Sequence, residues 1–180
     1  MNRKSLLLGT LFSIAFAVLC SFFRDFVVDD AYIIYRFSQH LIQGHGLVWN
    51  IGEAPVEGYT SFMWVVLNAL AIGAGLDPVI FSKLFSLLCA LGVIWVLAFE
   101  ARDLEWGLAA VLVAAMALSP LFALLTMQGL ETALAALLCL VAARLTLKLQ
   151  QNPSPRRIHF WFIAMLIGLL TRPDAAPLLA

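Results

Sequence analysis

Charged residues are scarce in this chain. They make up 12% of its 180 residues, with 11 Lys or Arg and 11 Asp or Glu, whereas soluble domains carry about 25%. So small a charged fraction cannot cover a water-facing surface, and 63% of the residues are hydrophobic. The composition therefore predicts an integral membrane protein. The formal net charge of zero argues against a nucleic-acid partner, which would require a strongly basic surface.

Cysteine and histidine are also rare. The cysteines, Cys20, Cys89 and Cys139, lie singly within apolar runs and lack the spacing of a zinc site. We therefore interpret them as small buried hydrophobic residues. His40 and His45 have no third ligand at metal-binding spacing, so a histidine metal site is not predicted.

Long apolar runs account for most of the remaining sequence. The first covers residues 5–23 behind a basic N-terminus. Its length suits a membrane span better than the shorter core of a signal peptide, so we predict an uncleaved span. Four further runs cover residues 79–99, 107–125, 130–147 and 158–170. The fold class predicted is an all-α integral membrane protein: a polytopic bundle of about five transmembrane helices, forming a single membrane domain over residues 1–180.

A shorter apolar run decides the topology. Residues 62–76 contain Asn68 and fall short of the roughly 17–25 residues that a crossing needs. If this run does not cross, the basic loop at residues 144–157 lies on the same side as the basic N-terminus, as the positive-inside rule favours. We therefore predict a multi-pass protein of the cytoplasmic (inner) membrane. Its N-terminus is expected in the cytoplasm and residues 24–78 form the first extracytoplasmic loop.

An amphipathic helix is predicted at the start of that loop. Its apolar and polar positions repeat at helical spacing and form two opposite stripes: Ile33, Ile34, Phe37 and Leu41 on one, and Asp29, Tyr32, Arg36, His40 and Gln43 on the other. Gly44 and Gly46 end the pattern. We expect this helix to lie flat in the membrane interface, with its apolar side in lipid.

Several carboxylates fall on the outer side in this topology. Asp29 and Asp30 either serve the helix start, as caps or dipole partners, or include a general base or metal ligand. Glu131 either complements the dipole of the span that follows it or belongs to a site. The residues themselves leave these alternatives open.

A charged break interrupts the last apolar stretch. Arg172 and Asp174 flank Pro173 there, although an Arg at mid-membrane costs about 2.5–3.5 kcal/mol. Either the span ends at Leu170, or the break faces a polar cavity.

The motifs "DDAYIIYRF" (residues 29–37), "VEGYT" (56–60), "QGLETAL" (128–134) and "LTRPDA" (170–175) occur in this order. Together they resemble the membrane-embedded GT-C glycosyltransferases, and most closely the branch of the mycobacterial terminal arabinofuranosyltransferases. The resemblance runs from about residue 5 to residue 180. It implies an inverting transfer of a sugar from a polyprenyl-phosphate donor to an extracytoplasmic cell-envelope glycan or lipid acceptor.

The resemblance also implies site residues. An aspartate of the first outer loop is the general base in such enzymes, which corresponds here to Asp29 or Asp30. Substrate-binding roles are then implied for residues that would line the cleft or meet the donor phosphate: Arg36, Glu57, Tyr59 and Glu131. Some members use a divalent metal at the first-loop acid and others use none.

Members of that superfamily run to several hundred residues, so the chain is expected to be the N-terminal part of such an enzyme. The alternative is a non-catalytic polytopic membrane protein, either a truncated remnant or an assembly subunit. A transporter is disfavoured, because a substrate path would place polar residues deep in the spans, and here they gather at the span ends.

Overall fold

A computed structural model of the chain describes residues 3–173, and this part of the chain is helical with no strands. The helices, numbered in chain order, are α1 Arg3–Ser21, α2 Asp29–Ile42, α3 Phe62–Gly73, α4 Pro78–Glu100, α5 Trp106–Ala117, α6 Pro120–Met127, α7 Thr132–Gln151 and α8 Pro155–Thr171. A single 3₁₀ turn, Ala101–Asp103, follows α4.

Within residues 3–173, three helical segments are long and apolar enough to cross a membrane. These are α1, the continuous segment Pro78–Asp103, and α7; the bent pair α5–α6 makes a fourth if it counts as one span. Our expectation of about five spans exceeds the larger of these counts, four, by one. The difference is α8, whose 17 residues begin with Pro155-Arg156-Arg157. Its length of roughly 26 Å, at 1.5 Å per residue, lies at the lower limit for crossing a bilayer core of ~30 Å, which takes about 17–25 residues.

The bend between α5 and α6 has a local cause. Pro120 is the first residue of α6, and proline cannot donate the backbone hydrogen bond that a continuous helix would need. The Ser119 hydroxyl oxygen accepts instead from the Phe122 amide at 3.2 Å and caps the new helix. The two helix axes differ by 42°. The apolar run at residues 107–125, which we predicted as one transmembrane helix, is therefore two helices with a bend at Ser119-Pro120.

Helix α4 lies at the centre of the bundle and contacts α1, α3, α5, α6 and α7. Glycines allow close approach to its neighbours. A Cβ on Gly9 of α1 would lie 2.8 Å from the Trp95 ring, and a Cβ on Gly92 would lie 3.1 Å from Leu137 of α7. Close packing over small residues is a usual source of helix association in membranes, where water contributes no hydrophobic driving force.

Helix α2 forms as predicted, but its apolar face lies against protein rather than lipid. Phe37 is fully buried, as is Trp64 on the neighbouring α3. The Ser38 hydroxyl donates to the Val65 carbonyl at 2.9 Å and ties the two helices together. Helix α3 thus covers the surface that we expected lipid to cover.

Helix α3 does not cross the bundle, which agrees with the topology argument. Its 12 residues span roughly 18 Å. Trp64, near its start, contacts Gly129 at the N-terminal end of α7. Beyond its end, Asp77 caps the start of α4 by accepting from the Ile80 amide at 2.9 Å. Both ends of α3 therefore lie at one end of the bundle, which we call the loop end.

The opposite end, which we call the basic end, holds the start of α1, the α4–α5 connection and the α7–α8 connection. Lys4 donates to the Leu104 carbonyl, and Arg144 pairs with Glu100 at 2.5 Å. Among residues 3–173 this end carries seven Lys or Arg and three Asp or Glu, whereas the loop end carries four and seven. Within this range, positive charge is therefore in excess at the basic end and negative charge at the loop end.

The turn at residues 128–131 joins the outer loop to the bundle. The Gly129 carbonyl accepts from the Trp64 indole at 3.0 Å and from the Tyr35 hydroxyl at 3.4 Å. The Gln128 carbonyl accepts from the Val28 amide at 3.0 Å. Gly129 has a φ of +94°, and a Cβ there would lie 2.6 Å from the Tyr35 oxygen. A glycine is therefore required here by both conformation and space.

We predict that Gly129→Ala destabilises the protein more than Gly75→Ala does. Both glycines have positive φ, but a Cβ on Gly75 meets nothing within 4 Å. Gly75→Ala should cost about 1 kcal/mol of backbone strain, and Gly129→Ala about 1–3 kcal/mol more from overpacking. Reversible unfolding in mixed detergent micelles measures both. Equal losses would mean that the turn does not pack closely against α2.

Candidate functional site

A cavity of about 620 Å³ opens at the loop end, and we call it the carboxylate cavity. This volume lies within the usual range of small-molecule sites, about 300–1,000 Å³. Four separate parts of the chain line it: the start of α2, the segment before α3, the turn before α7, and the residue after α8. Its polar lining residues are Asp30, Glu57, Tyr59, Thr60, Ser61, Glu131 and Arg172.

The two aspartates of α2 differ in position. Both lie in the first turn of the helix, where negative charge suits the helix dipole. Neither of them caps the helix, because the cap position is Val28 and it makes no side-chain cap hydrogen bond. Both aspartates are exposed, but Asp30 lines the carboxylate cavity and Asp29 does not. The geometry thus separates two residues that the sequence could not distinguish.

Glu131 is the most buried acid of the cavity, with 5% of its surface exposed. It occupies the cap position of α7, yet its side chain makes no cap hydrogen bond. Its Oε2 has no hydrogen-bond partner within residues 3–173, and its Oε1 lies 3.8 Å from the Arg172 Nε. Buried polar atoms are normally paired, so an unpaired carboxylate oxygen at a cavity wall is a candidate ligand contact. Dipole complementation alone does not account for this side chain.

Arg172 agrees with both interpretations of the charged break: the helix ends next to it, and it faces a polar cavity. Helix α8 ends at Thr171, one residue beyond the limit considered from sequence, and Arg172 continues in extended conformation with φ −146° and ψ 99°. Its side chain then lines the carboxylate cavity. Asp174, the other charge of that break, lies outside the described residues. The sequence signal for Arg172 was an arginine within an apolar stretch, but nothing in it showed which residues it would meet.

The segment before α3 is held against α2 by close aromatic packing. A Cβ on Gly58 would lie 2.9 Å from the Phe37 ring, and the Tyr59 ring centroid lies 5.0 Å from that of Phe37. Partial burial raises the pKa of Tyr59, and the nearby Glu57 carboxylate raises it further. The Tyr59 hydroxyl therefore keeps its proton at neutral pH and can donate a hydrogen bond into the cavity.

Arg36 lies away from the cavity. Its guanidinium donates to the Asn50 side-chain oxygen at 2.8 Å and stacks 4.2 Å over the Trp49 ring. Asn50 in turn donates to Glu53 at 2.8 Å. Of the six predicted site residues, the structure therefore brings four together, Asp30, Glu57, Tyr59 and Glu131, and places Asp29 and Arg36 elsewhere.

The three cavity carboxylates do not form a compact metal cage. Across residues 3–173, no group of three or more His, Cys, Asp or Glu side chains is arranged to hold a metal ion. Asp30, Glu57 and Glu131 thus face one space from separate walls.

Comparisons with protein-family models, with curated proteins and with solved structures found no match. The chemistry of the carboxylate cavity is therefore the main evidence for a function.

We predict that Arg172→Gln destabilises the protein by about 1–3 kcal/mol, because the buried Glu131 carboxylate loses its cationic neighbour. Glu131→Gln combined with Arg172→Gln should recover most of that loss. Arg24→Gln is the matched control, since its ion pair with Asp25 is solvent-exposed and should contribute less than about 1 kcal/mol. Unfolding in mixed micelles tests this set. Unchanged stability in Arg172→Gln would show that the pair is not coupled.

Proposed function

We propose that this chain is the N-terminal catalytic part of a membrane-embedded glycosyltransferase of the GT-C kind. It would transfer a sugar from a polyprenyl-phosphate donor to a cell-envelope acceptor outside the cytoplasm. The observation that carries the proposal is that Asp30, Glu57 and Glu131 line one cavity. They come from three separate motifs of the resemblance, and Arg172 of the fourth motif lines the same space.

The charge distribution supports the orientation that this function needs. An excess of Lys and Arg marks the cytoplasmic side of membrane proteins, and that excess lies at the basic end, opposite the cavity. With the basic end in the cytoplasm, the N-terminus is cytoplasmic and the carboxylate cavity faces outward. Helix α8 acts as a fifth span in this arrangement, with its Arg156 and Arg157 in the cytoplasmic headgroup region.

Asp30 is the proposed general base. Its carboxylate takes the proton from the acceptor hydroxyl as the hydroxyl oxygen forms a bond to the anomeric carbon of the donor. The bond between that carbon and the phosphate oxygen breaks at the same time, and polyprenyl phosphate leaves with the bonding electron pair. This single displacement inverts the anomeric configuration and needs one base rather than the carboxylate pair of a glycosidase.

The other cavity residues are proposed to bind and orient the donor. Arg172 supplies positive charge for the phosphate, because it lines the cavity that Arg36 does not reach. The unpaired Oε2 of Glu131 can accept a hydrogen bond from a sugar hydroxyl. The Tyr59 hydroxyl can donate to a sugar or phosphate oxygen.

The short helices suit a lipid-linked donor. Helices α2 and α3 lie at the loop end and place the cavity beside the outer end of the bundle rather than at its centre. A phosphate bound there would sit near headgroup depth while its polyprenyl chain remains in the bilayer. A soluble sugar nucleotide would need no such placement.

Asp30→Asn in the intact native protein should lower sugar transfer by at least about 100-fold, because the acceptor loses its base. Asp29→Asn is the matched control and should retain most of the activity, since Asp29 does not line the cavity. Sugar transfer is assayed in membranes that contain the protein and are supplied with polyprenyl-phosphate-linked arabinofuranose, mannose or glucose. Protein levels are checked by immunoblot.

Full transfer by Asp30→Asn at normal protein level would contradict the catalytic role. Absence of transfer from every donor by the unaltered protein would instead favour a non-catalytic membrane protein.

A further inference from the structure

A second cavity lies at the basic end, and we propose that it binds the headgroup of an anionic phospholipid of the facing leaflet. Its volume is about 470 Å³. It lies between the last turn of α4, the 3₁₀ turn that follows and the C-terminal half of α7. We call it the basic groove. The carboxylate cavity lies at the other end of the bundle, so the basic groove is separate from the proposed transferase site.

One side of the basic groove carries positive charge. Arg102, Arg144 and Lys148 line it together with a single acid, Glu100. Glu100 is already paired with Arg144 at 2.5 Å. The side-chain ammonium of Lys148 has no ion pair or hydrogen bond within residues 3–173. Arg102 contacts the exposed Asp103 at 3.1 Å, outside the groove. The lining therefore keeps a net positive charge that an anion would neutralise.

Two of these cations are held in place by an aromatic ring. The guanidinium carbons of Arg102 and Arg144 lie 4.5 and 4.6 Å from the centre of the Phe99 ring. Stacking of this kind fixes the planar guanidinium groups before a ligand arrives, so less side-chain entropy is lost on binding. Phosphate suits such guanidinium groups, because it can accept two parallel hydrogen bonds from one arginine.

The remaining walls favour a lipid over a free phosphate ion. Leu140, Ala143 and Leu147 recur on the face of α7 that also carries Arg144 and Lys148. The Leu147 side chain is largely exposed, at 60%, and α7 is one of the segments able to cross a membrane. A phospholipid can place its phosphate on the cations and its acyl chains along these apolar side chains. A free anion would leave the apolar walls uncovered.

The test uses the purified chain in neutral detergent, with dioleoyl phosphatidylglycerol as the anionic probe and dioleoyl phosphatidylcholine as the neutral one. Bound lipid is counted by native mass spectrometry. The unaltered protein should bind the anionic lipid at least tenfold more tightly than the neutral lipid. Arg102→Gln with Lys148→Gln should lower that affinity about 25-fold, at roughly fivefold per cation.

Arg3→Gln with Arg156→Gln is the matched control, since it removes two cations from the same end but outside the groove. It should change the affinity less than twofold.

An equal loss of affinity in both double variants would show diffuse electrostatic attraction and overturn the proposal. Displacement of the lipid by inorganic phosphate at equal concentration would also overturn it, since the site would then bind simple anions. If the double variant fails to fold, Lys148→Gln alone replaces it, because that side chain is exposed, and no loss of affinity would contradict the site.

Discussion

The Gly129 carbonyl is the point on which the loop end depends. It accepts one hydrogen bond from the Trp64 indole of α3 and a longer one from the Tyr35 hydroxyl of α2. Both donors are buried and would cost free energy if left unpaired. The same turn continues into Glu131, so fixing the turn also fixes the carboxylate at the cavity wall. A single backbone position therefore couples the packing of the outer loop to the geometry of the candidate site.

Among residues 3–173, the charged side chains lie toward the two ends of an apolar bundle. Burial of charge in the middle of a span would carry a large desolvation cost. The candidate site instead places its charges just before or after helices, as at Glu131 and Arg172. The basic groove follows the same rule at the other end, where α4 stops and α7 continues. Each end thus has a cavity lined by charged side chains, mostly acidic at the loop end and mostly basic at the other.

Much of the fold could be predicted from the sequence because span length and the amphipathic period of α2 are local properties. The break at Pro120 was also local and was missed, because the apolar residues on either side concealed a capping Ser119. The site was only partly predictable. Nothing local distinguishes Asp30 from Asp29, or shows that Arg36 turns toward Asn50, because both depend on where α3 and the 128–131 turn pack.

The central claim is that the carboxylate cavity binds a polyprenyl-phosphate-linked sugar. The most direct measurement is photocrosslinking of the native protein with a polyprenyl phosphate that carries a diazirine on its headgroup, followed by peptide mapping. The account predicts labelling within residues 57–61 and 128–131, and loss of that labelling when unmodified polyprenyl phosphate competes. Labelling spread over the lipid-facing helices, or labelling that the competitor does not reduce, would contradict it.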